Sequence, residues 1–257
     1  MLPSHNPLDY PILILMLSFF AFWTAARVGA YFRGRQPEPE KADDHEDFTQ
    51  LLGSTLTLLA LIIGFTFSMA VNRYDLRKIY EEQEANAIGT EFVRADLLPA
   101  ADAAKVRAML VSYLEQRMLN YKIRNEDRAR QINLQTSRLQ TEMWSAVSMP
   151  AAAQPSPVMA LVLVGMNEVL NSQGYTQAGW WNRVPIAAWI LLIAISMFCN
   201  LMIGYGAHRN NTFGFLILPI ALSLSLFLIA DIDSPRGGVI RIHPQNLKAL
   251  SESLHPR

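Results

Sequence analysis

The chain has 257 residues, 51% of them hydrophobic, with 22 basic and 22 acidic side chains. Such a balance offers no basic surface for a nucleic acid to bind. An ordinary soluble domain is excluded because the apolar residues gather in uncharged runs approaching the ~20 helical residues that cross a hydrocarbon core.

The first run, Pro11 to Ala26, is 16 residues long and reaches Ala30 if Arg27 turns its charge to the interface. No Lys or Arg precedes it, which favours a span over a cleaved signal peptide. Residues 31–50 hold three basic and six acidic side chains, including "PEPEKADDHED", and read as a flexible acidic loop. The second run, Leu51 to Val71, is 21 residues without a charge.

Residues 72–184 follow, carrying 13 Lys/Arg against 12 Asp/Glu. Val106, Leu110, Tyr113, Leu114 and Met118 recur at helical spacing, as do Leu139, Met143 and Val147. Between them "RNEDRARQ" contains no Gly or Pro, so one long helix and a helical hairpin both fit. Ser156-Pro157 has the form of a helix cap and first-turn pair. The run "VMALVLVGM" beyond it is too short to span and predicts a buried or interfacial helix. Trp180 and Trp181 stand just before the third run, where interfacial aromatics are expected.

The third run, Pro185 to Ala207, has 23 uncharged residues, and the fourth, Thr212 to Ala230, has 19, with the "HRNN" turn between them. The single cysteine, Cys199, lies in the third run and cannot form a disulfide within one chain. The expected fold is an all-α integral membrane protein with four transmembrane helices, at about 11–30, 51–71, 185–207 and 212–230. A helical cytoplasmic domain over 72–184 and a cytoplasmic tail over 231–257 complete the expectation. By parity both termini and the helical domain share one side. Arg73, Arg77, Lys78, Arg183, Arg236 and Arg241 lie near the spans there, against Arg27, Arg33, Arg35, Lys41 and Arg209 opposite. Six against five biases the domain towards the cytoplasm.

Two stretches draw attention as sites. In "EANAIGTEFVRADLLP", read as a helix continuing the second span, Arg73, Arg77, Glu84, Glu91 and Arg94 fall roughly along one stripe. Ala85 and Gly89 leave a shallow strip where another backbone can approach. A solvated charged face and a packed helix with its charges paired are the two readings. In "DIDSPRGGVIRI", Asp231 and Asp233 emerge by parity on the same side as Arg73, which invites ion pairing. As a calcium site the two carboxylates fall short of a full ligand set.

Together "GFTFSMAVNRYDLRK", "EANAIGTEFVRADLLP" and "DIDSPRGG" resemble a bacterial family of bestrophin-like membrane proteins. Within "GFTFSMAVNRY", a Gly-Phe pair precedes a Val-x-Arg-aromatic segment, which is similar to bestrophins themselves. The resemblance implies a homo-pentameric anion channel whose pore is lined by the second span. It places Phe65 at a pore-constricting aromatic, Leu61 one turn earlier, and Thr57 at a third neck position. Spacing by four puts all three on one helical face, and an apolar neck of this kind gates by wetting and dewetting. Of the acidic clasp that follows the last span in calcium-regulated bestrophins, only Asp231 and Asp233 are represented.

Enzyme chemistry is not expected. The five histidines have no metal-ligand spacing, and neither a nucleophile elbow nor a phosphate-cradling loop is present. No cofactor or metal is expected. The expected partners are the lipid bilayer, copies of the same chain and a permeant anion, in a bacterial inner membrane. The alternative is a non-conducting scaffold or signalling protein that acts through its helical domain.

Overall fold

The computed structural model describes residues 9–35, 42–123, 126–206 and 214–255. The described residues form eight α-helices: α1 (Pro11–Arg33), α2 (Ala42–Arg94), α3 (Ala100–Lys122), α4 (Glu126–Ala153), α5 (Pro157–Trp181), α6 (Ile186–Gly206), α7 (Gly214–Asp233) and α8 (Gln245–Leu254). A 3₁₀ turn, Ala95–Leu97, follows α2. Four stretches hold a helical segment long and apolar enough to cross a membrane: Pro11–Arg33, Glu46–Leu97, Pro157–Gly206 and Phe215–Asp233.

The acidic connector is shorter than the sequence implies. Helix α1 continues to Arg33 and α2 already begins at Ala42, so much of the expected 31–50 loop is helical. Acidic residues suit the first turns of a helix, where the backbone dipole is positive. Phe48 also packs beside the Tyr205 ring, with centroids 5.7 Å apart. Residues 36–41 and the "HRNN" turn lie outside the described residues.

Two compact units divide the chain. One draws on Met1–Asn72 and Arg183–Ile240, the other on Arg73–Asn182 and Arg241–Arg257. In the first unit α1 packs along α6 and α7. Phe22, Ala26, Leu192, Cys199, Leu226 and Ile229 are buried there. Glycine sets the α1–α6 spacing, because a Cβ on Gly204 would overlap the Ala26 carbonyl oxygen and one on Gly29 the Leu201 carbonyl oxygen. Small residues are how membrane helices gain van der Waals contact without a hydrophobic driving force between them.

In the second unit α3 packs on α4, α4 on α5, and α8 on α3. The region therefore takes the hairpin form. Its core holds Ile88 from α2, Val106, Leu110, Tyr113 and Leu114 from α3, Met143 and Val147 from α4, Val162, Met166 and Val169 from α5, and Leu247 from α8. The segment "VMALVLVGM" is the first part of the 25-residue α5. Its cap is the expected one: Met159 N donates to Ser156 Oγ at 3.2 Å, with Pro157 at the first helical position.

Candidate functional site

Helix α2 spans 53 residues, about 80 Å at 1.5 Å per residue. That is far more than a hydrocarbon core of about 30 Å needs. The charge-free stretch covers Leu51 to Val71 and only a few residues more, so the remainder serves another purpose.

Along the uncharged part, one face backs onto its own unit and another does not. Leu59, Thr66 and Ala70 are buried. Thr57 is exposed, Leu61 is 53% exposed and Phe65 is 65% exposed. Beside them Gly53 and Gly64 face open space. The hydroxyls at the start of the run are satisfied by the helix itself. Ser54 donates to the Gln50 carbonyl at 2.9 Å, Thr55 to Leu51 at 2.8 Å and Thr57 to Gly53 at 2.9 Å. Such back-bonding lets a hydroxyl sit in an apolar medium without an orphaned donor.

The later part of α2 belongs to the second unit, and its charged residues meet different fates. Arg73 is half-buried. Arg77 is buried and donates from Nε to the Gly179 carbonyl at 3.1 Å. Glu84 is fully buried. It pairs with Arg117 through Nε and, at 3.2 Å, through Nη2, and it accepts a 3.0 Å bond from the Thr176 hydroxyl. Burial works against the Arg117 charge, yet the Glu84 carboxylate holds its pKa above the ordinary value. Tyr113 and Tyr121, both beside this pair, are pushed above the usual phenol range by burial and then by Glu84.

Further along, Gly89 lets Leu250 of α8 approach: a Cβ there would stand 3.0 Å from Leu250 Cδ1. Glu91 is buried, and neither carboxylate oxygen has a hydrogen-bond partner among the described residues. Arg94 pairs instead with Glu168 of α5 at 3.3 Å. Bonded side chains and an unpartnered one thus occur along the same helix, and no single reading of the charge stripe covers them all.

Asp231 and Asp233 close α7 in the first unit. Asp231 accepts from the backbone amides of Val239 at 2.6 Å and Ile240 at 2.7 Å, bridging the turn that contains Pro235 and Gly237. Asp233 accepts from the Val184 amide at 3.1 and 3.2 Å. Nearby, Asp9 pairs with Arg183 at 2.5 Å and accepts from the Ser234 hydroxyl at 3.2 Å. These contacts tie the end of α7 to the chain entering α1 and α6.

Several residues of these networks were not singled out from sequence. Arg117 was detectable: Leu110, Leu114, Arg117 and Tyr121 recur at spacings of four, three and four, so a charge on the apolar face required a buried partner. Glu81 gave no comparable signal. Its carboxylate accepts from Leu247 N at 2.9 Å and Asn246 Nδ2 at 2.7 Å, supplying the acceptor that α8 lacks at its Pro244 cap. Glu168 and Gly165 likewise acquire meaning only through their contacts with α2.

The four apolar helical stretches and the all-helical layout define the class as a helical, multi-pass membrane protein. More narrowly, the chain belongs to the bestrophin-like family: the family model for the Bestrophin-like domain matches residues 20–247. No curated protein matches it. Among solved structures it is similar to a bacterial bestrophin homolog from Klebsiella pneumoniae, at 15% identity and a TM-score of 0.64, covering 95% of this chain and 96% of that one. A point variant of that homolog matches at 14% identity and a TM-score of 0.64, covering 95% and 97%. At such identity the likeness establishes a shared fold.

Proposed function

We propose that the protein is an oligomeric membrane ion channel of bestrophin type, conducting anions such as chloride through a pore lined by α2. The observation that carries this reading is the uncovered face of α2. Thr57, Leu61 and Phe65 follow at four-residue spacing and point away from their own unit. Such a face needs either lipid or copies of itself around an axis. A ring of copies, five by family resemblance, surrounds an aqueous path whose narrowest part is apolar, and such a constriction gates by dewetting.

In this reading α1, the Leu51–Val71 part of α2, α6 and α7 cross the inner membrane, and residues 73–182 lie in the cytoplasm with both termini. The backbone-held Asp231 and Asp233 act as structural turns and hold no calcium. Conductance is tested on purified protein in planar bilayers under a chloride gradient. A reversal potential following chloride supports the reading, and an electrically silent but intact oligomer refutes it.

A further inference from the structure

Glu91 is a charged position on the later part of α2 whose carboxylate the packing leaves without a hydrogen-bond partner among the described residues. It lies 20 residues beyond Val71 in the sequence. Its side chain is 0% exposed and both oxygens lack a hydrogen-bond partner among the described residues. The carboxyl group rests directly on the backbone of α5 at Gly165, where a Cβ would overlap Glu91 Oε2 and stand 2.5 Å from Arg94 Nη1. Arg94, the nearest cation, is engaged by Glu168. An ionised carboxylate so enclosed is strongly disfavoured, and one neighbouring arginine, itself shared, offsets only part of that penalty.

We propose that Glu91 is a proton-operated latch, neutral when α2 and α5 are closed on each other at Gly165 and ionised when this contact loosens. The charged groups around it fit that assignment. Arg94 on α2 favours ionisation, and Glu168 on α5 opposes it. Asp96 in the 3₁₀ turn is paired with Arg107 of α3. The α8 charges Lys248 and Glu252 pair with each other in solvent, and the α4 charges Asp127, Arg128, Arg130, Arg138 and Glu142 are exposed. Burial, with Arg94 and Glu168 as smaller opposing influences, pushes the Glu91 carboxyl up to about 8 from an ordinary 4.5.

The direction of the response follows. An opened segment releases this proton near pH 4.5, whereas the closed one keeps it to about pH 8. Closure therefore weakens as pH rises through that window, by up to about tenfold per unit, and levels above it. Alkaline pH opens the contact and acid closes it. The latch is a property of the fold and stands without the channel reading; only its effect on current depends on conduction.

The test uses full-length protein in detergent micelles, comparing wild type with Glu91→Gln and Glu168→Gln from pH 5 to 9. The melting temperature and the amide exchange of α5, corrected for intrinsic exchange, are followed. The stability gap between Glu91→Gln and wild type should widen from pH 5 to 8 and then level. Glu168→Gln, which removes an opposing charge and frees Arg94, should bring the levelling to lower pH. Parallel wild-type and Glu91→Gln curves overturn the latch. Should Glu91→Gln fail to fold, an unmoved Glu168→Gln profile overturns it.

Discussion

Replacing Glu84 alone by Met should be among the most damaging single substitutions in the second unit. Arg117 is 1% exposed and Glu84 0% exposed. The Arg117 guanidinium always carries its charge, so removing Glu84 strands a buried cation and leaves the Thr176 hydroxyl without that acceptor. Breaking a buried pair from one side costs about 3–5 kcal/mol, whereas replacing both members by apolar groups of similar volume is often neutral or stabilising. For a chain of this size each kcal/mol moves the melting temperature by about 2–4 °C, so Glu84→Met should lower it by roughly 6–20 °C. The double variant Glu84→Met with Arg117→Met should recover most of that loss. Intrinsic tryptophan fluorescence reports directly, since Trp180 stacks edge-on against Tyr121. A single variant melting within about 3 °C of wild type, or a double variant no better than the single, would refute the assignment of this pair as a desolvated ion pair.

Other consequences follow from named contacts. Glu81→Ala removes the acceptor shared by Leu247 N and Asn246 Nδ2, so α8 should detach and Lys248 become a tryptic site, as mass spectrometry of a brief digest would show. Unchanged protection would contradict that role. Gly204→Ala should destabilise, because its Cβ meets the Ala26 carbonyl, whereas Gly174→Ala, with open space around it, should gain up to about 1 kcal/mol of helix propensity. Equal shifts in the two melts would show that Gly204 does not set helix spacing.

What the sequence disclosed depended on the range of the signal. Uncharged runs disclosed the membrane-length helices because the bilayer imposes length and apolarity together, and the Ser156-Pro157 cap was legible because capping is settled within four residues. The start of α2 at Ala42 was not, since helix formation in an acidic stretch is also favoured by contacts such as Phe48 with Tyr205 and Gly206. Whether a charged side chain on α2 is paired, capped or stranded depends on α3, α5 and α8, which periodicity along α2 cannot reveal. Glu81, Glu84 and Glu91 sit on one helix, and in turn they cap α8, pair with Arg117 and rest unpartnered on Gly165. Phe65 and Leu61 were placed by resemblance, and both are exposed on their helix.

The central claim is that the uncovered face of α2 lines a pore. The most direct measurement is single-channel conductance of reconstituted wild type and Phe65→Ala, with oligomer mass determined for both. Removing a ring of phenyl groups from an apolar neck should leave the assembly intact and raise the current, because a wider neck wets more readily. Equal conductance in two intact oligomers would place the conduction path elsewhere and contradict the account.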